Sequence, residues 1–571
     1  MTELKENTPA ADRINEKTRK TLSMYLDNGE TGREWASSLK TLAEDAALEY
    51  EGRFLVELIQ NGYDAHAPGS AGGRIEILLD LAEAEHGVLY VANTGRAFSY
   101  QNFAAITAIA QSSKPPGEGI GNKGIGFKSV LQISDWPEVY STPIDYTPSS
   151  DFDGYSFRFA RRSDIANLVS QEHIDDAVRD LSALALPIPV EKVPDRALQL
   201  RSSGFCTVIR LPLRDSKAAK CAETEMQHLA SSATPILLFL DRISSLTMRA
   251  EQVDGSLTLE TELHRNAAPF VPNGSRDAPE LTDVDLGDQA RFLVATRFVA
   301  AEDLKNAITE SSSEIASKWS TWSDDSAVSV AVQIDSDNSD WHFYTFLPMN
   351  SAPAPLAAHV NAPFFTKIDR NKVSFAVYFN NFLLTEVALL CVDTAMWIQN
   401  NAAEHGALCV DLICWSEDYF EWLKYAFDER GIELENAELV PVLPKGDRRF
   451  GPIGAVRAWG PFSAALTRLT PESVTAATDS MIVEPRIGEK RIARFRVLRR
   501  SLNHWDDGSP RDFELADWVE CVARAMSKRQ TGPDTSEWMD FYDDIATVFD
   551  GRQDAPLHGR KIVIDLSLIH I

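Results

Sequence analysis

A carboxylate, an amide and a second carboxylate recur along one short apolar stretch. Glu57, Asn61 and Asp64 lie within Phe54-Leu55-Val56-Glu57-Leu58-Ile59-Gln60-Asn61-Gly62-Tyr63-Asp64-Ala65. Their spacings of four and three put all three side chains on one face of a helix. Phe54, Leu55, Leu58 and Ile59 are then placed to pack the rest of that helix into a core. Burying such polar groups without partners costs roughly 2–7 kcal/mol each. A bound metal–nucleotide would supply the partners. A solvated stripe on an amphipathic helix would need none.

Two further segments favour the first reading. Val88-Leu89-Tyr90-Val91-Ala92-Asn93-Thr94-Gly95 reads as a strand running into a tight turn. Gly117-Glu118-Gly119-Ile120-Gly121-Asn122-Lys123-Gly124-Ile125-Gly126-Phe127-Lys128-Ser129-Val130 has five glycines in its first ten residues, too many for a packed element. Such a stretch suits a loop whose backbone N–H groups approach a polyphosphate, followed by a helix N-terminus. No Rossmann strand precedes it, and Phe127 after Gly126 breaks a Walker-type Gly-Lys-Ser/Thr.

The order and spacing of the three segments resemble the GHKL ATPase superfamily, which includes gyrase B, the ninety-kilodalton heat-shock chaperones, histidine kinases and MutL. Tyr50-x-x-Arg53-Phe54-Leu55-x-Glu57-Leu58-Ile59-Gln60-Asn61-x-x-Asp64-Ala65 and Gly124-Ile125-Gly126-Phe127-Lys128-Ser129-Val130 are most similar to its sacsin and NO VEIN branch. Gly204-Phe205-Cys206-Thr207 resembles the family's last motif, a turn opening a terminal sheet strand. The resemblance is strong over residues 45–215, moderate to about 400 and negligible beyond.

The resemblance implies an α/β (α+β) sandwich of Bergerat type, with helices on one face of a mixed sheet, and it implies ATP and Mg²⁺ as ligands. Glu57 would deprotonate the attacking water, Asn61 would hold Mg²⁺, and Asp64 would support the pocket by hydrogen bonding. Asn93 would face the adenine amino group, Gly95 would let the backbone pass beneath the base, and Thr207 would bond the adenine edge. Ser113 and Lys114 would flank a lid, Gly121, Gly124 and Gly126 would wrap the phosphates, and Lys123 would add charge there. Arg370, in Asp369-Arg370-Asn371-Lys372, would reach the γ-phosphate from a middle domain; an ordinary surface arginine is the other reading of that turn. The chain departs from the superfamily at Asn93, where most members have Asp. An amide oxygen still accepts from an adenine N–H, more weakly than a carboxylate, so ATP binding is expected to be functional but weakened.

The chain has 571 residues, 44% of them hydrophobic, with a net charge of −28. That charge gives no general attraction to nucleic acid or anionic membranes. Arg486, Lys490, Arg491, Arg494, Arg496, Arg499 and Arg500 form a local basic cluster, read either as a patch or as a face balanced by nearby acids. The six cysteines lack metal-ligand spacing and read as free thiols. The N-terminus lacks the apolar core of a signal peptide. Phe382–Ile398 is the best membrane candidate, but Glu386 and Asp393 interrupt it, so a core helix is expected. These features predict a cytoplasmic protein. Leu566-Ser567-Leu568-Ile569-His570-Ile571 reads as one frame of a transposon-end sequencing adapter, so the natural protein is expected to continue beyond it.

Four segments are expected: N-terminal helices over 1–44, the ATP-binding domain over 45–215, an α/β middle domain over 216–400, and an α-rich region over 401–571. Gly274 to Gly287 reads as a polar loop. In the family the N-terminal segment can cross to a neighbouring protomer, which makes a homodimer an expectation, through that segment or through the C-terminal part. The leading functional expectation is an ATP-hydrolysing conformational switch, chaperone-like or part of a bacterial stress or defence system, acting on an unidentified protein partner. The alternative is an ATP-gated interaction module without turnover. A histidine kinase is excluded because no His precedes His66 to serve as phospho-acceptor.

Overall fold

The computed structural model describes residues 9–48, 53–107, 126–148, 150–232, 234–270, 279–335, 340–366, 373–458, 480–502, 512, 515–527 and 535–549. Among them, eight strands form one mixed sheet: β1 Gly73–Asp80, β2 Val88–Asn93, β3 Glu138–Ser141, β4 Phe157–Phe159, β5 Pro187–Pro189, β6 Thr207–Pro212, β7 Ile243–Glu251 and β8 Leu257–His264. The order is β5-β4-β3-β6-β2-β1-β7-β8. Only β1 and β7 run parallel in this sheet.

Period-two alternation assigns each face of the sheet. Ile75, Ile77, Leu79, Leu89, Val91, Ile209 and Leu211 point to the side that receives helix α3, Phe54–Asp64, through Phe54, Leu55, Leu58 and Ile59. Ala218, Ala222 and Met226 of the helix Ser216–Ser231 join the same layer. The alternate residues Leu78, Val88, Tyr90, Ala92 and Val208 face the other way. They are covered by Phe152 and by Ala197 and Leu200 of the helix Asp195–Ser202. The principal helices thus share one face, as expected, and a shorter helix closes part of the other.

The N-terminal helices α1 Ala10–Asp27 and α2 Gly29–Leu48 pack against this same unit. Ile14 is fully buried in its core, and Tyr25 Oη donates to Asp180 at 2.9 Å. Arg33 pairs with Asp176 at 2.8 Å.

A second sheet follows: β9 Asn266–Pro269, β10 Glu280–Asp285, β11 Arg291–Val299, β12 Ser326–Gln333, β13 His342–Thr345, β14 Leu347–Pro353 and β15 His359–Asn361, in the order β14-β13-β15-β12-β11-β10-β9. The helix Tyr378–Asn401 is long and apolar enough to cross a membrane, but it lies in the core against this sheet, with Leu383, Leu384, Val387, Ala388 and Val392 fully buried. Asp393 is bound by Arg297 and Arg430, and Arg297 also approaches Glu386 at 3.9 Å.

Three boundaries read from sequence move. The first sheet does not close at residue 215, because β7 returns to pair with β1 and β8 extends the edge to His264. No break falls at 400 either. Leu408, Leu412, Leu423 and Phe427 share one core with Val328 and Val330 of β12. The stretch 274–287, read as loop, contains β10, whose Asp283 is bound by Arg291 on the paired strand β11. The first core also takes in Val284, Phe292, Ala331, Tyr344 and Leu347 of the second sheet, so the two sheets share buried contacts.

Five of the seven residues of the basic cluster form ion pairs. Arg491 and Arg494 bind the buried Asp411 at 2.7 and 2.6 Å, Arg496 and Arg499 bind Asp512 at 2.9 and 3.1 Å, and Arg486 binds Glu484 at 3.0 Å. All six cysteines are free thiols, and no cluster of metal-ligating side chains occurs among the described residues.

Candidate functional site

Helix α3 carries Glu57, Asn61 and Asp64 as the spacing predicts. Glu57 and Asp64 are buried and Asn61 is half-buried. The helix is fastened at both ends. At its start, a backbone N–H that no helical carbonyl can reach, that of Leu55, donates to Glu225 on the helix Ser216–Ser231 at 3.3 Å. Burial pushes the Glu225 carboxyl up to about 7. At its end, His66 Nδ1 lies 2.8 Å from the Gly62 carbonyl and Nε2 lies 3.0 Å from Thr94 Oγ1, which fixes the proton on Nδ1. Burial lowers the pKa of His66, so the ring is held neutral. Tyr63 donates to Asp241, and the Arg242 guanidinium sits 4.6 Å over its ring.

Two glycines let the backbone come close. A Cβ on Gly62 would lie 2.8 Å from Ile75 Cδ1 and 3.4 Å from Asn93 Cβ, so α3 presses directly on the ends of β1 and β2. Gly95 has φ +103°, and a Cβ there would meet the Ala65 carbonyl at 2.8 Å. The chain leaving β2 therefore runs against the end of α3, where Arg96 N–H donates to Ala65 O at 2.8 Å and Arg96 Nη2 to Asp64 O at 3.1 Å.

Asn93, Thr207 and Ser141 stand in one row. Asn93 pairs with Thr207 across β2 and β6, and Thr207 pairs with Ser141 across β6 and β3. Directly paired residues share a face, and the Ile75–Asn93 pair puts this row on the α3 side. All three are buried. Thr207 Oγ1 lies 3.3 Å from Ser141 Oγ, which itself accepts from Phe98 N at 2.8 Å. The Asn93 amide donates to the Thr94 carbonyl at 2.7 Å. One of its two amide N–H donors is thereby used.

The 3-10 helix Gly126–Gln132 lies along α3. A Cβ on Gly126 would fall 2.3 Å from Glu57 Oε2, so any larger residue there must displace the end of that carboxylate. Phe127 and Val130 reach the core, and Ser129 Oγ donates to Gly126 O at 2.6 Å. Lys128 is 3% exposed, and its ammonium has no hydrogen bond or ion pair among the described residues. Burial lowers its pKa.

The structure thus brings together Glu57, Asn61, Asp64, Asn93, Gly95, Gly126 and Thr207. Ser113, Lys114, Gly121, Lys123, Gly124 and Arg370 lie outside the described residues. Ser141, Gly62, His66, Glu225 and Lys128 were not singled out from sequence. Ser141 ends β3, and only its register opposite Thr207 reveals its place. A buried polar row with one amide, a helix bearing a carboxylate and an amide, and a glycine seated on the carboxylate fit a nucleotide and its metal by donor set.

Residues 37–262 match the sacsin domain family, a span that ends within β8, where the first sheet ends. Protein NO VEIN of Arabidopsis thaliana is 28% identical over 216 residues, covering 37% of this chain and 7% of that protein. The two matches together support a family of the sacsin and NO VEIN type for the unit that carries Glu57, Asn61 and Asn93.

Proposed function

We propose that the first unit is a Mg²⁺-dependent ATPase of the GHKL type, used as a nucleotide-driven conformational switch on a protein partner in a chaperone-like role. The observation that carries this reading is the meeting of α3 with the Asn93–Thr207–Ser141 row at one end of the sheet, with Gly126 against Glu57. The Asn93 oxygen would accept from the amino group of adenine, with one N–H of its amide already given to the Thr94 carbonyl. Asn61 is the protein ligand for Mg²⁺, which takes few protein ligands and keeps water and phosphate oxygens as the rest. When bound, ATP with Mg²⁺ supplies the phosphoryl group and neutralises charge as it develops. Glu57 accepts the proton of the attacking water, and the buried wall around it holds the carboxylate in place. Arg370 is the candidate second-unit contact to the γ-phosphate.

Glu57→Ala tests the reading by nucleotide binding and steady-state hydrolysis, measured beside the wild type. Binding should persist and turnover should fall by about 10²–10⁴-fold, the usual contribution of a general base. Retained turnover removes Glu57 from that role. Binding without turnover in the wild type points to a nucleotide-gated interaction module, and absence of binding sinks the reading altogether.

A further inference from the structure

Phe346 lies between β13 and β14 with φ +66°, one of two non-glycine residues in the left-handed region among those described. For a bulky aromatic residue that backbone is an outlier which persists only where the surroundings hold it. Its amide N–H donates to the Oδ1 of the buried Asn361 on β15 at 2.7 Å. The turn projects the Phe346 ring onto the first unit, where it meets Tyr63 of α3 with centroids 6.4 Å apart and planes tilted by 41°. That geometry is within the range of favourable aromatic pairs. A second contact runs beside it: Tyr344 Oη donates to Pro235 O at 3.1 Å, and its ring lies 4.9 Å from that of Phe239.

We propose that Phe346 is a positioning residue for the nucleotide helix. Asn361 holds the strained turn, the turn sets the ring, and the ring fixes Tyr63, which sits between Asn61 and Asp64. This inference rests on the reading of α3 as the nucleotide-binding helix. It adds that the last turn of α3 takes its place in part from the second unit, through the Tyr63–Phe346 pair that stands beside the shared core. Tyr63 is further tied by Asp241 and Arg242, so a displaced ring moves the helix end instead of turning freely.

The experiment uses the full chain with Phe346→Gly, which adopts the same backbone without strain and removes the ring, beside Phe346→Tyr, which keeps it. Amide exchange is followed at residues 61–66, together with the Km and kcat of ATP hydrolysis. Phe346→Gly should speed exchange at residues 61–66 by about tenfold and leave β1 and β2 protected. It should lower kcat by about tenfold with a smaller change in Km. Phe346→Tyr should behave as the wild type. If Phe346→Gly does not fold, Phe346→Leu reads the same contact. Wild-type exchange in the ring-less variants overturns the proposal, as does loss in Phe346→Tyr equal to that in Phe346→Gly. A wild type without turnover would fail the ATPase reading alone, because the exchange measurement still decides the positioning role.

Discussion

Gly126→Ala puts a methyl group into the place now held by the end of the Glu57 side chain. The added Cβ would stand 2.3 Å from Glu57 Oε2 and 3.3 Å from its Cδ. To reach even 3.0 Å, the shortest separation real Cβ atoms tolerate, the carboxylate must retreat by about 0.7 Å. Glu57 is 4% exposed and follows Phe54 and Leu55 on a packed helix, so it has little space into which to withdraw. Overpacking of this kind costs about 1–3 kcal/mol of stability. A misplacement approaching 1 Å at a reacting group costs on the order of 10²-fold in rate. Gly126→Ala should therefore lower the midpoint of urea unfolding by the equivalent of about 1–3 kcal/mol. It should also reduce ATP turnover about a hundredfold while changing nucleotide affinity much less. Glu57→Asp shortens the offending side chain and should recover most of the lost stability in the double variant. A double-mutant cycle with no coupling between positions 57 and 126 would refute the contact, and wild-type turnover in Gly126→Ala would refute its importance for the chemistry.

Glu225 gives a pH signature. Its folded carboxyl stands at about 7 against an ordinary 4.5, so between those values the folded chain holds a proton that the unfolded chain releases. Stability is then fully present below pH 4.5 and is lost as pH rises through 7, by at most about 3 kcal/mol. Glu225→Gln should remove that slope in unfolding curves recorded from pH 5 to 8, and an unchanged slope would exclude Glu225 as its source. Lys128→Met replaces a buried ammonium, unpaired among the described residues, by an apolar chain of similar length. The unliganded protein should gain about 1–3 kcal/mol, read as a higher melting temperature. A marked loss would mean that the ammonium is stabilised in the unliganded fold.

The part of the molecule legible in sequence is the part whose signals are local. The three polar residues of α3 could be placed by helical spacing, and β2 by its apolar run into a turn. The boundary at 215 failed because β7 pairs in parallel with β1, far back in the chain, and parallel pairing leaves no turn signal between the partners. The basic cluster stayed ambiguous for a similar reason: Asp411, which neutralises Arg491 and Arg494, is about eighty residues away. Asn93 and Thr207 were identified singly by resemblance. Their alignment with Ser141, and the bond from the Asn93 amide to the Thr94 carbonyl, depend on register and rotamer, which no residue pattern encodes.

The buried layer that α3 shares with Val284, Phe292, Tyr344 and Leu347 limits what kind of machine this can be. A swinging hinge needs a solvated cleft that opens, and here the joint is packed side chain against side chain. Close-packed interiors do not stretch; they hold one arrangement or exchange it for another. Motion between the two sheets must then take the form of a small sliding step with repacking, and a fragment cut after His264 would carry the exposed half of that joint. Such a fragment should be prone to aggregation, whatever its affinity for nucleotide.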